Sequence, residues 1–194
     1  VDNLLYGSVR HHNNQAYMVR VSPEGWQYLF PMDVYQFSGG FAGNGTFYYN
    51  SASRIEDLVS YQGYTSHTDV DSFADPTIEI AMPAYTVGAD LALVNYNGNI
   101  LSISVNNAGD VVIVNRANSN AWQFNSNIPA ATFGGLYSFG DKVYVSANNS
   151  SGIYEIRWKT MLEQDDATAW TEVVNTSAQT ANNDGANCVN FTAP

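Results

Sequence analysis

Apolar and polar residues alternate with a period of two along much of the chain. The pattern is plain in Ala16-Tyr17-Met18-Val19-Arg20-Val21, in Ile100-Leu101-Ser102-Ile103-Ser104-Val105 and in Lys142-Val143-Tyr144-Val145-Ser146. Successive side chains of a strand point to opposite faces, so this spacing predicts β-strands. Between them lie Ser22-Pro23-Glu24-Gly25, Asn95-Tyr96-Asn97-Gly98-Asn99 and Asn106-Asn107-Ala108-Gly109, whose residues accept turn dihedrals. Short strands at regular intervals with frequent turns indicate a sandwich, a barrel or a propeller. Helical spacing is confined to Lys159–Gln164, a segment predicted to be too short to organise a core.

An internal repeat separates these architectures. Leu4-Leu5-Tyr6 followed by Tyr17 to Gly25 is echoed by Leu91-Ala92-Leu93 followed by Leu101 to Gly109. Phe37-Ser38-Gly39-Gly40-Phe41 followed by Gly45 to Tyr49 is echoed by Phe133-Gly134-Gly135-Leu136 followed by Asp141 to Val145. The period is about 85 to 95 residues, and each period holds two strand groups of about 45, the size of a propeller blade. The prediction is an all-β, β-propeller-like repeat of about four short-stranded blades, two per repeat, in a single domain over 1–194 with repeats at roughly 1–85 and 86–194. The pairs Gly39-Gly40 and Gly134-Gly135 are expected where inner strands come close together.

Composition places this fold in a setting. Of 194 residues, 45% are hydrophobic, as in a globular chain, and only 13% are charged, so solubility rests on Asn, Ser, Thr and Gly. Seven Lys and Arg against eighteen Asp and Glu leave a net charge of −11. That field repels phosphate backbones and anionic lipid, which argues against nucleic-acid partners and membrane binding. No apolar run approaches the roughly 20 residues that cross a bilayer. Val1-Asp2-Asn3 lacks the basic and apolar regions of a signal peptide, so an exported chain would already have lost its signal.

Five Asn-x-Ser/Thr sequons stand at Asn44, Asn148, Asn149, Asn175 and Asn190. Those at Asn44 and at Asn148-Asn149 fall in polar breaks between apolar runs, where an attached sugar meets no packing cost. Together they predict a secreted glycoprotein. Cys188 is the only cysteine, which excludes an internal disulfide or a cysteine zinc cluster; it is either an intermolecular disulfide candidate or a free thiol.

Catalytic chemistry finds little to use. His11 and His12 are adjacent, expected in a hairpin loop, and His67 is distant, so no zinc-type spacing occurs. No nucleophile elbow or phosphate-binding loop is present; no catalytic residue and no cofactor is assigned, and the chain is expected not to be an enzyme. Asp69, Asp71 and Asp75 form a weak metal candidate without the glycine and terminal glutamate of an EF-hand, and Asp165-Asp166 is weaker still. Trp26, Tyr61, Tyr64 and Trp122 either pack in the core or stack on sugar rings.

The opening Val1-Asp2-Asn3-Leu4-Leu5-Tyr6-Gly7, the Phe133-Gly134-Gly135 and Gly152-Ile153-Tyr154-Glu155-Ile156 strands and the ending Asn183-Asp184-Gly185-Ala186-Asn187-Cys188 resemble a family of uncharacterised extracellular repeat domains. Those domains are β-propeller-like, end in Asn-Asp-Gly-x-x-Cys and occur in secreted surface proteins of bacteria and algae, some of flagellar-hair type. The resemblance implies no catalytic residues. In that family a further segment of the blade usually precedes the first strand, which leaves closure of the first blade open; Cys188 and Pro194 match the family's ending, so the domain is expected to end with the chain. The function expected is an extracellular structural or adhesive module that assembles with copies of itself or neighbouring domains into a surface filament, coat or flagellar hair. The alternatives are a lectin-like propeller that binds glycans and, as a minor option, a propeller hydrolase.

Overall fold

The computed structural model describes residues 5–10, 16–23, 25–32, 39–41, 46–50, 57–62, 77–81, 90–118, 120–139, 141–148 and 152–175; before residue 90, side chains are described at positions 9, 17–19, 21, 23 and 25–28. Fifteen strands and one helix follow one another in these residues. The strands form four antiparallel meanders in chain order.

Sheet 1 holds β1 (Leu5–Arg10), β2 (Ala16–Ser22) and β3 (Gly25–Met32). Sheet 2 holds β4 (Gly39–Phe41), β5 (Thr46–Asn50), β6 (Asp57–Gln62) and β7 (Thr77–Ala81). Sheet 3 holds β8 (Ala92–Tyr96), β9 (Asn99–Val105), β10 (Val111–Asn115) and β11 (Ala121–Phe124). Sheet 4 holds β12 (Phe133–Phe139), β13 (Lys142–Ala147), β14 (Ile153–Ile156) and β15 (Trp170–Val174). Among the described strands every hairpin pairs neighbours in sequence, and none crosses over. The first strands converge, since β4 and β12 both approach β8. Radial sheets of this kind cover one another's faces, and the four-blade reading of the repeat corresponds to these four sheets.

Turn chemistry fixes the registers. Asn97 and Gly98 take φ of 51° and 81° between the paired Tyr96 and Asn99, the two-residue hairpin that Asn-Gly favours. The β9–β10 turn is built on Asn106, whose side-chain oxygen accepts from the amides of Ala108 and Asp110. Gly109 adopts φ +87° there, and a Cβ at that position would collide with the backbone carbonyl of Ile128. Only glycine fits.

Among the described residues a large core cluster lies between sheets 3 and 4. Ala92, Val94, Leu101, Ile103, Val105, Val111, Ile113 and Phe124 of sheet 3 meet Leu136, Val143, Val145, Tyr154 and Ile156 of sheet 4. The helix α1 (Trp158–Gln164) departs from the sequence reading in importance. Although short, it drives Trp158 and Met161, three residues apart on one face, fully into this core. Trp158 meets Tyr96 edge to face at 5.7 Å, and the Tyr96 hydroxyl donates to Glu163 at 3.1 Å, so a helix of sheet 4 clamps the end of sheet 3.

Candidate functional site

Where inner strands meet, a buried carboxylate joins two sheets. Asp90, just ahead of β8, is 8% exposed; one oxygen accepts from the Leu91 amide at 2.8 Å and the other from the Leu136 amide of β12 at 2.6 Å. The Ser138 hydroxyl donates to the Leu93 carbonyl at 3.1 Å a little further along. At the outer rim the Trp170 indole donates to the Ser126 carbonyl at 2.6 Å. Both glycine pairs stand in first strands, β4 and β12, where the sequence reading expected close approach. This junction is structural: its polar groups are spent on backbone partners.

The other face of sheet 4 is chemically different. Register sets Tyr137, Tyr144, Glu155 and Thr171 in one row across β12 to β15. The two tyrosine rings stack at 5.3 Å with 18° between planes. Lys142 lies 2.9 Å from the Glu155 carboxylate, and the Tyr144 hydroxyl donates to the same oxygen at 3.2 Å. The bond from Lys142 holds the Glu155 carboxyl below the ordinary carboxylate range, with desolvation opposing it and the Tyr144 bond assisting. Burial, then the bond to Glu155, pushes the Tyr144 phenol up, and Lys142 is raised through its bond to Glu155. At the margins Phe139, Val173 and Val174 are exposed at 43%, 50% and 39%.

A second apolar surface lies on sheet 1. Register pairs Val21 with Trp26 and Val19 with Tyr28 on one face. Val21, Trp26 and Tyr28 are exposed at 40%, 56% and 45%. Tyr28 packs on Trp26 at 5.0 Å and on Tyr17 at 5.1 Å. What both surfaces offer is a contact area of aromatic and aliphatic groups, the composition found at the centres of interfaces.

The residues singled out from sequence fall as follows. Asn175 is exposed in the bend after β15, open to modification. Asn148 departs from the expectation of a free turn: it is buried at 5% exposure, its amide bonded to the Thr132 carbonyl at 2.8 Å, and a sugar there would have to displace its neighbours. Asn44, Asn149, Asn190, Cys188, Asp69, Asp71, Asp75, Tyr64 and the three histidines lie outside the described residues. Trp26 is a surface ring, whereas Trp122 is half-buried against the core; Tyr61 stands in β6 opposite Phe47. Asp165 ends α1 in a left-handed conformation, and Asp166 accepts from the Thr168 amide and hydroxyl, so both serve the turn. Among the described residues no group of three His, Cys, Asp or Glu is placed to hold a metal, and no helix is long and apolar enough to cross a membrane. Asp90, Tyr137, Tyr144 and Glu155 were not singled out. The alternation in Lys142 to Ser146 carried the signal, because it sets Lys142 and Tyr144 opposite the two valines.

No protein-family model and no curated protein matches the chain. Among solved structures it is similar to a chain of the nidogen/laminin complex, at 12% identity and a TM-score of 0.49, over 76% of this chain and 57% of that one. It is also similar to a structural genomics protein of unknown function from Bacteroides thetaiotaomicron VPI-5482, at 13% identity and a TM-score of 0.54, over 80% of this chain and 39% of that one. The latter is a β-propeller structure. The chain therefore has a β-propeller-like fold, and it spans less than two thirds of either neighbour's length.

Proposed function

We propose that this chain is a structural or adhesive module of an extracellular assembly such as a surface filament, coat or flagellar hair. The observation that carries the reading is the set of exposed apolar groups on sheet 4, Phe139 and Val173, beside the stacked Tyr137 and Tyr144. Contiguous exposed apolar groups mark interaction sites when they gather into a patch. The Asn175-Thr176-Ser177 sequon, with Asn175 exposed, supports passage through a glycosylating secretory route. Native material should be larger than one chain by light scattering, and peptide mapping before and after glycosidase treatment should find a glycan on Asn175. A monomer with every sequon bare would overturn the reading.

A glycan-binding role is the second reading, favoured by the exposed Trp26 and Tyr28 rings, since pyranose C–H faces stack on aromatic rings. Quenching of tryptophan fluorescence by oligosaccharides, lost in Trp26→Ala, is the expected sign.

A further inference from the structure

Asn97-Gly98 closes the β8–β9 hairpin, and both residues are exposed. An Asn-Gly step is where a peptide chain most readily attacks its own side chain, because glycine sets no Cβ beside the reacting nitrogen. Gly98 sits at φ +81° with nothing within 4 Å of where a Cβ would stand, so no neighbour obstructs the attack. Two features restrain it. The Gly98 amide donates to the Asn95 side-chain oxygen at 3.2 Å. Asn97, at φ 51°, is held in the left-handed turn, and closing a five-membered ring on Gly98 requires its backbone to rotate out of that turn. The same turn borders the clamp on sheet 3. The Tyr96 hydroxyl donates to Glu163 of α1 at 3.1 Å, and its ring meets Trp158 edge to face. Burial, then the bond and charge of Glu163, push the Tyr96 phenol up, while the hydrogen-bonding Asn97 side chain pulls the other way.

We propose that Asn97 is a self-modification site of this chain: its carboxamide is lost to attack by the Gly98 nitrogen, and the bond from that nitrogen to Asn95 sets how slowly. In the first step the Gly98 nitrogen bonds to Asn97 Cγ, the Cγ–Nδ2 bond breaks, and ammonia leaves with the proton that the Gly98 amide gives up. Water then opens the cyclic imide at either carbonyl. The products are aspartate and isoaspartate, and neither step draws on an oxidant or a cofactor. Isoaspartate threads an extra methylene into the main chain of a two-residue turn, between the paired Tyr96 and Asn99. Either product also sets a carboxylate beside Tyr96, whose hydroxyl is already bonded to Glu163, in a chain of net charge −11. Like charges around one hydroxyl repel. The conversion therefore runs one way and loosens the hold of α1 on sheet 3.

The full chain, held at neutral pH and sampled over time, tests this by peptide mapping, with isoaspartyl methyltransferase labelling to separate the two products. Mapping keeps Asn97 apart from Asn44-Gly45, the other Asn-Gly step, which lies outside the described residues. Conversion at Asn97 should proceed in the folded chain, more slowly than in the same chain unfolded in urea. Asn95→Ala should speed it about fivefold in the folded chain, the rate equivalent of one net hydrogen bond. Asn95→Asp keeps an acceptor oxygen and should convert at close to the unmodified rate. Asn97→Gln should stay unconverted, because its imide ring is larger and closes slowly. Hydrogen exchange should be faster in the β8–β9 hairpin and α1 of aged chain than in equally aged Asn97→Gln. Should Asn95→Ala not fold, the comparison of folded with urea-unfolded chain carries the test of restraint. The inference is overturned by a folded chain whose Asn97 stays intact long after the unfolded chain has converted, or by equal rates in the two states. An Asn95→Ala rate no faster than that of the unmodified chain, or an Asn95→Asp rate as fast as that of Asn95→Ala, removes the role of the Asn95 bond and overturns it too. Unchanged exchange in fully converted chain overturns the loosening of α1.

Discussion

Sheets 3 and 4 have the same strand count, the same meander and a shared core, yet their sequences solve different problems. In β10 of sheet 3 the alternation is lost, because both sides of Val111 to Asn115 are buried and its first four residues are all Val or Ile. In sheet 4 the alternation is strong: β13 sets Val143, Val145 and Ala147 inward, against Lys142, Tyr144 and Ser146 on the other face. A strand buried on both faces reads as a continuous apolar run, and one buried on a single face alternates. The contrast therefore separates a strand buried on both faces from one buried on a single face within one chain.

The strongest way to break the comparison is to remove the group that locks the two sheets together. Trp158 is 1% exposed and packs against Tyr96 of sheet 3 from the helix of sheet 4. Trp158→Ala should cost about 4 kcal/mol of unfolding free energy, the range for deleting a fully buried aromatic side chain. Asp90→Ala comes next. It strips two amides of their acceptor, and losing charged hydrogen bonds at a buried junction should cost about 3 kcal/mol, with Asp90→Asn milder. Chemical denaturation of both variants measures these losses; a change under about 1 kcal/mol in either would mean the junction does not hold the sheets.

A paired substitution sharpens the contrast between buried and open faces. Ile113→Ala, at 0% exposure in sheet 3, should cost about 3 kcal/mol, whereas Val173→Ala in sheet 4 should stay within about 0.5 kcal/mol in the isolated chain. Under conditions where copies associate, the Val173 substitution should gain weight, because its environment is then an interface. Equal costs in the isolated chain would erase the distinction between the two sheets.

The same contrast explains what the sequence could reveal. Strand spacing, the Asn-Gly hairpin at Asn97-Gly98 and the repeat of Gly39-Gly40 at Gly134-Gly135 follow local rules, so the four-sheet layout was legible. The role of Trp158–Gln164 was not, because a helix of seven residues is stabilised by what it packs on rather than by its own turns. Nor was Asp90: a lone aspartate before a strand looks like a turn residue, and its partner Leu136 lies 46 positions away. Asn148 misled for the opposite reason, since the polar break that marks a turn does not say which of its side chains points inward. The open row of Tyr137, Tyr144 and Glu155 needed register, which alternation alone does not supply.

The smallest expected effect concerns the ion pair on that row, and its sign follows from the two shifts. Glu155 is held below its ordinary value of 4.5, chiefly by the bond from Lys142, so its contribution is present above pH 4.5 and fades as pH falls through its lowered folded value. Lys142 is raised above 10.5 by the same bond, so its contribution is present below pH 10.5 and is lost as pH rises through the raised value. Stability should therefore show a shallow plateau across neutral pH with a loss at each end from this pair. Glu155→Gln keeps the shape of the side chain and removes the charge, so it should flatten both ends while lowering neutral-pH stability only slightly, as partly exposed ion pairs do. Added salt should shrink the difference between Glu155→Gln and the unmodified chain, because screening weakens the attraction that the substitution deletes. Melting temperatures of both proteins across pH, at low and high salt, decide it. Identical pH profiles would show that Lys142 and Glu155 spend their time in water rather than on each other, and that the open face is held in shape by the Tyr137–Tyr144 stack alone.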